Sequence, residues 1–359
     1  MPSLFDPLTL RGVTLRNRLG ISPMCQYSSE DGHATDWHVV HLGSRAQGGA
    51  GVVHVEASAV EARGRITPGD MGIWKDSHIE PLARVAKFVG RHGAVPAIQI
   101  AHAGRKGSTA APWDGGASLD DQHGGYEIVA PSPIAFGGNI TRVPRPLSAD
   151  EIPGVVAAFG KAAERARAAG FEWIEFHAAH GYLAHEFMSP LSNQRNDEYG
   201  GSFENRIRFC VESTRAIRRA WPERYPMSIR LSCTDWLPGG WDLEQTIELA
   251  KRLKTEGVDI IDCSSAGLRA DQQVPRGPGF QIPFAEAVRK AVSIPTAAVG
   301  GITAGSHADE IVRNGRADLV LIARQSLRDP YFPRNAAVAL GVPNAAKFPT
   351  QYHHYIGGG

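Results

Sequence analysis

The sequence predicts an α/β fold: a closed barrel of eight parallel strands wrapped by helices. Three observations carry this. Short apolar, β-rich runs alternate with amphipathic stretches along the chain, the order that builds a parallel sheet. Eight such strand–helix units in 359 residues match one (β/α)₈ barrel. The turn after the first strand, Met24-Cys25-Gln26-Tyr27-Ser28, lacks the G-x-G-x-x-G that an open dinucleotide-binding sheet carries there. No linker-like composition divides the chain, so residues 1–359 are expected to form one domain.

The elements follow in order. Leu8 to Leu15 alternates around Gly12 and is expected to form a small hairpin closing the barrel bottom. Strands are expected at 19–23, 51–57, 95–101, 171–177, 227–232, 258–263, 295–299 and 319–323. Between them, 79–91, 149–169, 202–220, 243–256, 284–292 and 305–313 read as amphipathic helices. The segment 106–147 is rich in Gly, Pro and Asp and has little helical period. So long a loop in a compact domain is usually functional, and it is expected above the barrel mouth as a partial lid.

Composition narrows the function. A chain with 42% hydrophobic and 21% charged residues can bury a full core. Its formal net charge of +1 gives no basic or acidic tail for nucleic acid or an anionic membrane, so a small-molecule partner is expected. Cys25, Cys210, Cys233 and Cys263 are scattered, without zinc-site or disulfide spacing. No signal-peptide pattern and no run of about 18 apolar residues is seen, so a cytoplasmic protein is expected.

The chemistry concentrates at strand ends. His177 closes an apolar strand, with His180 and Tyr182 in the loop behind it. Catalytic residues of parallel barrels collect at that end. Two imidazoles can donate to one anionic oxygen, and a phenol beside them can supply a proton. A metal site is the rival reading of His177-x-x-His180, with Glu175 as a third ligand. His38 and His41 form a second H-x-x-H, expected on a helix where core packing accounts for them.

Other strand ends add to the picture. Pro23 stiffens the first strand's exit, and Met24 and Cys25 are soft groups suited to lying against a flat ring. Gln99 faces inward with an amide that both donates and accepts. The tail His102/Arg105/Lys106 could meet phosphate or be a solvated loop. Arg230 alternates with apolar neighbours, so an anion or electron-rich ring should face it, or an internal ion pair. Gly300 and Gly301, with Arg324 one strand later, suit a phosphate at the loops after strands 7 and 8. Ser264-Ser265-Ala266-Gly267 is a lesser candidate for the same ligand.

Taken together, Ser22-Pro23-Met24-Cys25-Gln26-Tyr27, Ile98-Gln99-Ile100-Ala101-His102-Ala103-Gly104-Arg105-Lys106, His177-Ala178-Ala179-His180-Gly181-Tyr182-Leu183 and Asn193-Gln194-Arg195-Asn196-Asp197-Glu198-Tyr199-Gly200-Gly201-Ser202 resemble the Old Yellow Enzyme family of ene-reductases. The resemblance runs from about Leu4 to Pro330, and Cys25 is similar to the thermophilic-like, xenobiotic-reductase-like subgroup. It implies a TIM barrel with one non-covalent FMN, held by Ser22, Pro23, Met24, Cys25, Ala57, Gln99, Arg230, Gly300, Gly301, Ala323 and Arg324. It implies that NAD(P)H reduces FMN, which passes hydride from N5 to the activated C=C bond of unsaturated carbonyl, imide or nitro compounds. His177 and His180 would bind the activating oxygen, Tyr182 would give the proton, and Tyr27 and Cys25 would touch substrate.

The resemblance also implies a homodimer or homotetramer, with residues from about 340 to 359 at a protomer interface. The arginine expected near His354 is absent, which leaves His354, Tyr355 or a different arrangement. A second redox reading, the dienoyl-CoA or trimethylamine dehydrogenase type, needs later cysteines for an iron–sulfur segment, and none follows Cys263.

Overall fold

The computed structural model describes residues 2–352, so His354 and Tyr355 lie outside the described residues. A hairpin, β1 (Leu8–Leu10) and β2 (Val13–Leu15), opens the chain. β3 (Leu19–Ile21), β4 (Val52–Ala59) and β5 (Val95–Ala101) follow, with helices α1 (Asp36–Gln47) and α2 (Ile79–Arg91) between them. The long connection after β5 contains a two-residue pairing of β6 (Val129–Ala130) with β7 (Arg145–Pro146). Then come α3 (Ile152–Ala168), β8 (Trp173–Ala178), α4 (Leu183–Met188), α5 (Phe203–Ala220), β9 (Met227–Ser232), α6 (Leu243–Thr255) and β10 (Ile260–Ser264). The chain ends through α7 (Ile282–Val292), β11 (Thr296–Val299), α8 (Gly305–Arg313), β12 (Leu319–Ile322), α9 (Arg324–Arg328) and α10 (Phe332–Ala339).

β3, β4, β5, β8, β9, β10, β11 and β12 form a closed parallel barrel, sealed where β12 pairs with β3. All eight expected barrel strands are present, as are the six expected helices; α4, α9 and α10 were not expected. These are short, five to eight residues, too short for a helical period to stand out.

Barrel strands alternate between two cores. On β8, Ile174, Phe176 and Ala178 pack outward with the helices, where the Phe159 and Phe176 rings meet edge-on at 4.9 Å. Trp173, on the other face, joins Val52, Ala97, Ile260, Ala297 and Leu319 at the starts of their strands. Leu8, Leu10, Val13 and Leu15 of the hairpin pack onto this layer, so the hairpin plugs the amino-terminal end as expected. That leaves the carboxyl end, where the loops after the strands gather, as the place for a catalytic site. No helix among the described residues is long and apolar enough to cross a membrane.

The 106–147 connection leaves the carboxyl end of β5 and lies at the mouth. Its Trp113 ring meets Tyr27 edge-on at 5.8 Å, and its Phe136 ring lies 4.7 Å from the Lys106 ammonium.

Candidate active site

β8 sends Trp173, Glu175 and His177 up one interior line. Glu175 is spent inside: Gln99 Nε2 donates to its Oε1 (2.8 Å) and Ser228 Oγ to its Oε2 (3.0 Å). His177 stands one step higher, at the strand end. The chain then turns through His180 and Gly181, and Tyr182 precedes α4. The His177 ring meets His180 at 5.1 Å and 84° and Tyr182 at 4.9 Å and 88°, so all three rings share one small volume.

Their protonation states follow from their surroundings. Burial, then His180 and the cations Arg230 and Lys106, holds His177 well below the ordinary imidazole range; burial, Arg230 and Lys106 do the same to His180. Both are therefore neutral at physiological pH. The Ala179 amide donates to His177 Nδ1 (3.3 Å), which leaves the ring proton on Nε2. His180 Nε2 faces Ser264 Oγ at 2.7 Å. Burial, with Cys25 and Tyr27 nearby, raises the Tyr182 phenol well above its usual value, so it keeps its proton until a strong base arrives.

The other strand ends complete the mouth. Ser22 follows β3 and its hydroxyl accepts from Arg230 Nη2 (2.9 Å). Pro23 is buried, while Met24, Cys25 and Tyr27 are half-buried. Burial, Asp70 and Glu56 raise the Cys25 thiol, which makes it a poor nucleophile. Ala57 sits in a register shift of β4 between Val55 and Ser58. Gly300 (φ +114°) and Gly301 (φ +68°) follow β11, and Ala323 and Arg324 follow β12.

Three readings need correction or a choice. Arg230 does not wait for a ligand to balance its charge: Nε donates to Asp262 Oδ2 at 2.6 Å, the internal ion pair. The basic tail after β5 is neither solvated nor a phosphate site. Arg105 is 1% exposed and donates to the Ile134 and Leu268 carbonyls, and Lys106 donates to the His180 and Gly267 carbonyls. Glu175 turns to Gln99 and Ser228, and no cluster of three or more His, Cys, Asp or Glu placed to hold a metal exists among the described residues. His38 and His41 lie buried on α1, as core packing requires. Ser265 of the lesser ligand candidate is tied to Gln281 (2.7 Å).

Residues that the sequence did not single out also reach this site: His185 on α4, Ser232 closing β9 and Asp235 just beyond it. Asp235 follows a barrel strand end, the one signal that could have raised it.

With this geometry in view, the sequence and the fold match known proteins along nearly the whole chain. Residues 3–341 fit the model of the NADH:flavin oxidoreductase / NADH oxidase family. The chain belongs to this family. The flavin oxidoreductase is 48% identical over 345 residues to the NADPH dehydrogenase of Geobacillus sp. (strain WCH70), covering 96% of each chain. It is 47% identical to the NADPH dehydrogenase of Bacillus subtilis (strain 168), over 97% of this chain and 98% of the other. Among solved structures, morphinone reductase superposes with a TM-score of 0.80 at 26% identity, over 100% of this chain and 99% of that one. A 2-naphthoyl-CoA reductase superposes with a TM-score of 0.85 at 28% identity, but the chain spans only 52% of its length. The protein is thus an FMN-dependent oxidoreductase of the Old Yellow Enzyme type.

The mouth fits that cofactor. Arg324 is exposed and has no ion-pair or side-chain hydrogen-bond partner among the described residues, a free cation suited to a phosphate. Gly300 and Gly301 take left-handed backbone conformations, and a Cβ on Gly301 would come within 2.4 Å of the Gly277 carbonyl.

Proposed function

We propose that the enzyme is an ene-reductase: it reduces the activated C=C bond of α,β-unsaturated carbonyl, imide or nitro compounds at the expense of NAD(P)H. FMN, when bound, supplies hydride transfer, inward from NAD(P)H and outward to the β-carbon of the alkene. Ser22, Pro23, Met24, Cys25, Ala57, Gln99 and Arg230 would hold its ring, and Gly300, Gly301, Ala323 and Arg324 its phosphate.

The observation that carries the reading is the meeting of His177, His180 and Tyr182 rings at the barrel mouth. A neutral imidazole donates one hydrogen bond without bringing a positive charge. His177 Nε2 and His180 bind the carbonyl or nitro oxygen and stabilise the negative charge that grows on it, each donor contributing about 3–4 kcal/mol by analogy with oxyanion holes. Tyr182 delivers its proton to the α-carbon. Tyr27 and Cys25 contact the substrate from the β3 side. The balance is one hydride and one proton added across the double bond.

Anaerobic titration tests this directly. The NADPH-reduced, purified enzyme is mixed with cyclohexenone, maleimide or a nitro ester, and return of the oxidised flavin spectrum with formation of saturated product is expected. Stoichiometric NADPH oxidation without product from any alkene would sink the proposal. By the same resemblance we propose a cytoplasmic homodimer or homotetramer, which sedimentation velocity tests for assembly.

A further inference from the structure

One peptide group of the active-site turn, the unit joining His180 to Gly181, is tied at one edge by the buried His185 imidazole and at the other by the half-buried Lys106 ammonium. His180 is a non-glycine residue at φ +59°, a left-handed conformation that survives only where its surroundings enforce it. On the amide edge, Gly181 N donates to His185 Nδ1 (2.9 Å). An accepting Nδ1 leaves the imidazole proton on Nε2, which stands 2.9 Å from Asp235 Oδ1 with both side chains 0% exposed. Asp235 Oδ2 in turn accepts from Ser189 Oγ (2.6 Å) and Trp241 N (2.7 Å).

On the carbonyl edge, Lys106 Nζ donates to His180 O (2.9 Å) and to Gly267 O (3.1 Å). The same ammonium lies 4.9 Å from the centre of the Tyr182 ring. The Gly267 segment presses on the turn so closely that a Cβ on Gly181 would come within 2.0 Å of Gly267 O. Packing thus blocks one direction of movement, while His185 and Lys106 hold the two edges of the peptide itself.

We propose that Asp235, His185 and Lys106 act as a clamp on the His180–Gly181 peptide, setting the distance between His180 and Tyr182. They are positioning residues: they act through the turn that carries the oxygen ligand on one side and the proton donor on the other. The proposal rests on Tyr182 being the proton donor.

The test follows single-turnover reoxidation of photoreduced holoenzyme by two acceptors. Cyclohexenone needs both the oxygen ligands and the proton; ferricyanide takes electrons singly and needs neither. H185L and K106M should slow the cyclohexenone reaction about 10²-fold, the scale expected of a small misplacement, with ferricyanide rates and FMN content unchanged. H185N places an amide oxygen where Nδ1 accepts, and should recover most of the rate lost in H185L. Undiminished cyclohexenone rates in H185L and K106M would overturn the clamp, as would equal slowing with both acceptors or failure of H185N to recover. K106M tests the carbonyl edge by itself if H185L does not accumulate. Y182F runs alongside: an undiminished alkene rate there would overturn the proton-donor reading, whereas a slow Y182F with normal H185L and K106M would overturn the clamp alone.

Discussion

Arg230 on β9 and Asp262 on β10 face each other across adjacent barrel strands, joined at 2.6 Å with side chains only 5% and 1% exposed. The pair is the barrel's buried charge balance. Removing Asp262 leaves Arg230, in a low-dielectric interior, with only the more distant Glu175 carboxylate at 3.8 Å. Asp262→Ala should therefore destabilise the protein by about 3–5 kcal/mol. Urea unfolding of FMN-free protein measures this. A change below about 1 kcal/mol, the range of a surface pair, would mean that Arg230 finds another partner.

Tyr182→Phe should leave reduction of the enzyme by NADPH intact and slow alkene reduction by about 10²–10⁴-fold, the span usual for a lost general acid. Stopped-flow measurement of the two half-reactions separates them. Equal damage to both would contradict the assigned role.

For His177→Ala, loss of one donor should weaken phenol binding by about 10²-fold or more and abolish the long-wavelength charge-transfer band. A spectral titration with a substituted phenol reads both. Unchanged affinity would take His177 out of the oxygen site.

Arg324→Ala removes a free cation at the barrel rim. A charge-assisted hydrogen bond to phosphate is worth about 1.5–3 kcal/mol, so FMN should bind about 10–100-fold more weakly and be lost during purification. Full occupancy after extensive dialysis would argue against phosphate contact.

The pH response has a definite sign. Burial pushes the Lys106 ammonium down to about 8, with Glu186 opposing and Arg105 assisting. Below that pH the cation holds the His180 and Gly267 carbonyls and faces the Tyr182 ring. As pH rises through about 8 the charge is lost and its grip on the turn weakens, so the alkene half-reaction should decline. Glu186, itself raised to about 8 by burial, becomes anionic over the same range and delays the loss to higher pH. Lys106→Met should show no such limb. A wild-type alkene rate that is flat from pH 7 to about 10 would show that the charge does not matter.

The barrel was legible because its strands are short apolar runs and its long helices repeat their apolar residues with helical period; β5 and α2 fall at their expected bounds. The His177–His180–Tyr182 constellation was legible because its members are close in sequence, at the end of one strand. Arg230's partner was not. Asp262 lies 32 positions away, and only the β9–β10 register brings the two abreast. Lys106 looked like a member of a basic run because a run of like charges carries no sign of the carbonyls it will meet. His185 and Asp235 escaped notice for a similar reason: each is an ordinary polar residue until the loop after β9 folds against α4.

The seam between β12 and β3 pairs Ile322 with Ile21, so the earliest barrel strand finds one of its neighbours only when the last is synthesised. A chain that stops short of β12 cannot seal the cylinder. Contacts that distant in sequence also slow the search for the native state. Ser22 and Arg324, both proposed above to hold FMN, flank that seam, so a chain cut before β12 should bind no flavin and be colourless.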